Sequence, residues 1–131
     1  MMSHARHVRG YLGLSVLLIM AGLPSTEAAA PMYRITIESE SPYFMPAVAH
    51  VLAGSAIRWD NFTATYHTVT HDGCVTGMSC LFNSGSVPPN GTYTIPGLPP
   101  GYYSYHCQLH PIMRGRLTIE SHATAPPAAT L

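Results

Sequence analysis

Tyr102-Tyr103-Ser104-Tyr105-His106-Cys107-Gln108-Leu109-His110-Pro111-Ile112-Met113 holds two kinds of information in twelve residues. Its first half reads as a strand: side chains alternate across a pleated backbone, so Tyr103, Tyr105 and Cys107 share one face and Tyr102, Ser104 and His106 the other. The aromatic pair points inward, and Cys107 goes with it, to the end of the strand. The second half spaces a thiol, an imidazole and a thioether three residues apart, as Cys107, His110 and Met113. Soft sulfur donors favour copper over magnesium, calcium or manganese. A second imidazole, His67, lies forty residues upstream in Tyr66-His67-Thr68-Val69-Thr70. Two His, one Cys and a weak axial Met form the donor set of an electron-transfer copper site. Zinc is the weaker alternative, because its structural sites use Cys, His and carboxylate ligands.

Other segments alternate in the same way. Tyr33–Glu38 sets Tyr33, Ile35 and Ile37 against Arg34, Thr36 and Glu38, and Ile57–Asp60 follows a Gly54-Ser55 turn. Thr65–Thr70 is rich in Thr and Val, which suit pleated surfaces. Thr92–Ile95 follows Pro88-Pro89-Asn90-Gly91, Tyr102–Cys107 follows Pro99-Pro100-Gly101, and Arg116–Glu120 follows Gly115. Val48–Leu52 fits a strand or a helical turn. Turn signals every 8–15 residues, with no long helical period, predict an all-β fold, an antiparallel β-sandwich.

The ends differ from the middle. Arg6 and Arg9 precede the apolar run Tyr11–Leu23, and Thr26-Glu27-Ala28 or Ala28-Ala29-Ala30 offers a small-residue cleavage site. Residues 1–30 therefore read as a signal peptide. A run of 13 apolar residues is short of the roughly 20 that span a bilayer, so no membrane span is expected after cleavage. Export places the protein in the periplasm or outside the cell. Residues 121–131, mostly Ala, Pro and Thr, read as a flexible tail. One domain, 31–120, remains. Beyond residue 30 there are four arginines against five carboxylates and no lysine, a net charge of −1 with His neutral. That balance excludes nucleic-acid binding and leaves little long-range steering toward partners.

Three cysteines in an oxidising compartment leave one unpaired. Cys74 and Cys80 are close enough in sequence to close a small loop, worth roughly 2 kcal/mol in the chain-entropy picture. Cys107 would then be the free thiol. Pairing Cys107 with either of the others is the competing arrangement, and it would abolish the metal site.

The chain resembles the cupredoxins, the small blue-copper proteins, and is most similar to their amicyanin and plastocyanin group. Phe44-x-Pro46, Val51, Gly54, Ile57, Trp59 and Asn61 fall on that group's F-x-P…V-x-x-G-x-x-V-x-W-x-N run. His67-Thr68-Val69-Thr70 resembles the segment with the first copper ligand, Pro100–Cys107 the strand ending at the copper Cys, and Cys-x2-His-x2-Met the short amicyanin-type loop. The resemblance implies a Greek-key sandwich with one type 1 copper, held strongly by His67, Cys107 and His110 and weakly by Met113. It implies a carrier of single electrons and not an enzyme, and a monomer. Two departures stand out. Thr68 occupies the position where the group has an Asn that ties the two ligand segments together, so that hydrogen bond must differ. The Cys74–Cys80 insert is also foreign to the pattern.

The remaining histidines are weaker candidates. His71 would lie about 13 Å from His67 along a continuous strand, too far to share an ion. His106 faces away from Cys107, and His50 and His122 read as surface residues. Met32, Met45 and Met78 are scattered. Asn61-Phe62-Thr63 and Asn90-Gly91-Thr92 match the glycosylation pattern, though turn chemistry explains both. The leading functional expectation is an exported electron carrier whose redox partners dock near His110, Pro111 and Ile112. Copper delivery or homeostasis is the alternative. A recognition module without redox use would have been free to lose ligands, and a multicopper oxidase needs many more histidines.

Overall fold

The computed structural model describes residues 31–122, which form two four-stranded sheets packed face to face. The expected leader, 1–30, lies outside the described residues, as does the expected tail beyond residue 122. Eight strands, β1 (Met32–Ile37), β2 (Phe44–Met45), β3 (Val48–Leu52), β4 (Ala56–Asn61), β5 (Thr70–His71), β6 (Thr92–Ile95), β7 (Gly101–His106) and β8 (Arg114–Glu120), are joined by loops and one helical turn, α1 (Gly73–Thr76). The sheet orders are β2-β1-β4-β6 and β3-β8-β7-β5.

Alternation decides which faces meet. Ile35 and Ile37 of β1, Ile57 and Trp59 of β4, Tyr105 of β7 and Leu117 and Ile119 of β8 point between the sheets and are buried. Each such aliphatic side chain contributes roughly 1.5–3 kcal/mol relative to exposure. Ala49 and Val51 turn inward along Val48–Leu52, which resolves that segment as a strand. Trp59 is the hub, with ring centroids 5.5 Å from Tyr105, 5.9 Å from Phe82 and 5.9 Å from Tyr93. Burial pushes the Tyr105 phenol above its ordinary range, with Trp59 beside it. The Tyr105 ring fills the space a side chain at Gly115 would need, so only glycine fits opposite it on β8.

Two features depart from the sequence expectation. The sandwich forms, but its sheets are mixed: β1 pairs parallel with β4 and β3 parallel with β8. Alternation along one strand fixes its faces and not its direction relative to a distant partner, so a wholly antiparallel arrangement was not specified. The strand expected over Thr65–Thr70 shrinks to β5, with isolated bridges at His67↔Val87 and Thr70↔Asn83. His67 N–H keeps a ladder bond to Val87 O, and three other backbone donors of the segment go to side chains. Thr65 N–H bonds Thr63 Oγ1, Thr68 N–H bonds Cys107 Sγ and Val69 N–H bonds Ser84 Oγ. The segment exchanges ladder bonds for bonds that shape a site.

Cys74 and Cys80 are bonded to each other, and Cys107 is free and buried. Thiol counting on denatured, metal-free protein should therefore find one reactive group before reduction and three after. Three before reduction would show that the bridge does not form in solution.

Candidate metal centre

At one pole of the sandwich, β7 ends and β8 begins as a pair, His106 opposite Arg114, so the loop 107–113 is a short excursion between paired strands. Two backbone bonds tighten it, Cys107 N–H to Met113 O at 3.0 Å and Met113 N–H to His110 O at 2.9 Å. Across from it runs Thr63–Val69, leaving the end of β4. Cys107, His67 and Met113 are buried, whereas His110 is exposed.

Cys107 Sγ lies 3.9 Å from His67 Nδ1 and 3.7 Å from His110 Nδ1, and the two nitrogens are 3.2 Å apart. The circle through these three atoms has a radius of about 2.1 Å. Bonds from a divalent transition ion run about 2.0–2.1 Å to imidazole nitrogen and about 2.3 Å to thiolate. The triangle has the dimensions of a trigonal site made by two imidazole nitrogens and one thiolate sulfur. These are the only three His, Cys, Asp or Glu side chains among the described residues that gather in this way, with donor atoms all within 4.8 Å of one another. Burial, and then the neighbouring His110, hold His67 below its ordinary pKa, so the neutral imidazole that a metal requires is favoured. The Thr68 N–H, 3.2 Å from Cys107 Sγ, fixes the position of the sulfur between the two ligand segments. The residues fit a soft transition metal.

Comparison with known proteins agrees with this geometry. A family model described as a cupredoxin-like domain matches residues 13–119. The chain belongs to the cupredoxin-like family. Amicyanin of Paracoccus denitrificans is 30% identical over 120 residues, covering 78% of this chain and 89% of that one. Amicyanin-alpha of Methylorubrum extorquens is 28% identical over 102 residues, covering 78% and 85%. Among solved structures, a Cu(I) form of an amicyanin variant is 27% identical, with a TM-score of 0.57 over 72% of this chain and 87% of that one. A purple cupredoxin of Nitrosopumilus maritimus shares the fold at 20% identity, with a TM-score of 0.57 over 67% and 99%.

In this cupredoxin the tie between the ligand segments survives the change to Thr68. Its Oγ1 accepts the Gln108 N–H at 2.8 Å, while its own N–H reaches Cys107 Sγ. Met113 lines the same cleft as His67, His110 and Ile112.

The other histidines stand apart from the cluster. His71 packs on Phe82 and Tyr103. His106 is buried with Nδ1 2.6 Å from Asp72 Oδ1, His50 pairs with Glu120 and His122 reaches Ala53 O. Asn61 is fully buried with its amide engaged, so the first glycosylation pattern is not accessible. Sequence reading passed over Thr63 and Thr65, whose hydroxyls lie 2.8 and 3.0 Å from His67 Nε2. Their spacing from His67, four and two residues back, was the available signal. It carried no weight without knowing that the segment bends.

Proposed function

We propose that this cupredoxin carries single electrons between exported redox partners on one copper ion, with His67, Cys107 and His110 as strong ligands and Met113 as a weak axial donor. The observation that carries the reading is the triangle of Cys107 Sγ and two imidazole nitrogens with sides of 3.2, 3.7 and 3.9 Å. Copper bound there would supply a one-electron Cu(I)/Cu(II) couple.

The chain supplies rigidity. Cys107 is fixed by strand β7 and by the Thr68 N–H, His67 by hydroxyls on its far nitrogen, and His110 and Met113 by a loop closed by two backbone bonds. Ligands held in this way keep their places as the charge changes, which keeps reorganisation small. Burial of Cys107 and His67 favours retention of the metal over hand-off, and so the carrier over the delivery protein.

Export rests on the leader read in residues 1–30 and on the Cys74–Cys80 bridge, which belongs in an oxidising compartment. Among the described residues no helix is long and apolar enough to cross a membrane. The domain works as a monomer that meets its partners at the His110 edge. Ile112 is 74% exposed and Leu109 52%, and together with Pro111 they surround the exposed ligand with apolar surface. With so little net charge, contact rests on this patch and not on steering. Ile112→Glu should leave the copper spectrum nearly unchanged and slow electron transfer to the partner about tenfold or more, while added salt changes the wild-type rate only weakly. An indifferent Ile112→Glu variant with a steep salt dependence would place docking on a charged surface elsewhere.

A further inference from the structure

The far side of His67 is held by a hydrogen-bond relay whose donors and acceptors constrain where its ring proton lies. Asn61 is fully buried at the end of β4. Its side-chain nitrogen faces three carbonyl oxygens, Thr65 O at 2.9 Å, Pro88 O at 3.0 Å and Val87 O at 3.1 Å. Only the NH2 end of the amide can satisfy carbonyls, so its Oδ1 must face Thr63. There Oδ1 accepts the Thr63 N–H at 3.0 Å and the Thr63 hydroxyl at 2.8 Å. A hydroxyl has one proton. Two oxygens that can only accept lie within reach of that proton, Asn61 Oδ1 and Thr65 O at 3.1 Å; with it on either of them, Thr63 Oγ1 has only lone pairs for the Thr65 N–H at 3.2 Å and His67 Nε2 at 2.8 Å. His67 must then be the donor at Nε2, which leaves Nδ1 with its lone pair on the side of Cys107 and His110.

We propose that Thr63 is a positioning residue for the metal site: its hydroxyl, oriented by Asn61, fixes the Nε2–H tautomer of His67 and presents Nδ1 to copper before the metal arrives. The proposal rests on the reading of His67 as a ligand and adds the group that prepares it. Thr65 cannot do this alone. Its Oγ1, 3.0 Å from His67 Nε2, belongs to an exposed residue whose hydroxyl is free to donate or accept, so it is compatible with either tautomer. The relay also couples distant segments. The Asn61 backbone N–H bonds Gly91 O and Asn90 N–H bonds the Asn61 carbonyl, so the 88–91 turn is fastened to the backbone of the residue whose side-chain amide orients the threonine.

The decisive measurement is made on metal-free protein. Nitrogen-15 NMR at a pH where imidazoles are neutral should show wild-type His67 protonated at Nε2 and bare at Nδ1. In Thr63→Val the Thr65 hydroxyl is free to donate to Nε2, so the Nδ1–H tautomer should become populated. Copper affinity should fall 10–100-fold, the usual cost of losing the group that orients a ligand histidine. Thr63→Ser should restore both. A wild-type His67 protonated at Nδ1 would overturn the proposal without any variant, as would a valine variant with unchanged tautomer and affinity. Copper-loaded wild type that shows the Nε2–H tautomer when metal-free but no visible band when oxidised would instead refute the blue-copper reading and leave the tautomer assignment standing.

Discussion

Replacing Cys107 by serine is expected to erase the intense visible band of the oxidised, copper-loaded protein while leaving the sandwich folded. The band requires a covalent Cu(II)–thiolate bond, and an alkoxide or hydroxyl oxygen is a harder and less covalent donor. The fold should survive because serine is nearly isosteric and the Thr68 N–H, now 3.2 Å from Sγ, remains to satisfy the buried oxygen. Absorption of wild type and variant, with far-UV circular dichroism alongside, separates loss of the site from loss of the fold. A colourless copper complex of the wild type would refute the assignment outright.

Trp59→Ala should cost about 3–5 kcal/mol, the range for deleting a large aromatic from a core. Trp59 is fully buried and touches aromatic rings contributed by both sheets and by the loop carrying Phe82. Collapse of Tyr105 and Phe82 into the vacated space would require both to break their present contacts. Small domains have only about 5–15 kcal/mol in total, so the metal-free variant should be near its unfolding midpoint under mild conditions. Bound copper should recover part of the loss, because a ligand that binds only the folded state adds stability by mass action. Trp59 is the single tryptophan, so urea titrations must be followed by circular dichroism. A shift in free energy below about 1 kcal/mol would mean that the aromatic cluster repacks freely.

The metal site was legible to the extent that it is local. Cys107, His110 and Met113 share one loop, and three donor types at fixed spacing leave few other readings. His67 was read as the second imidazole that completes the donor set, forty residues upstream in Tyr66–Thr70, and the resemblance agreed with it. What surrounds His67 was not legible, because Asn61 meets Val87 and Pro88 26 and 27 residues later, and no periodicity records that meeting. The misreading of Thr65–Thr70 has the same origin. Threonine and valine announce a pleated surface, yet here threonine hydroxyls and a cysteine sulfur take the bonds a neighbouring strand would have taken. The parallel pairing of β1 with β4 was hidden for a different reason. The intervening chain passes through β3 in the other sheet before returning, and composition does not register such a detour.

The two parallel pairings have a practical consequence for attachment. Met32 begins β1 opposite Ala56, and Glu120 ends β8 opposite Leu52, on either side of the turn at Gly54. His122 reaches back to Ala53 at the same end. The first and last described residues therefore emerge together at one pole, while Ile37, Asn61, His106 and Arg114 mark the other, where the ligands gather. A tether, a fusion partner or an electrode linker joined at residue 31 or at residue 122 would leave His110 facing outward. Either end can serve as the handle of an oriented monolayer, and the orientation would be the same from both.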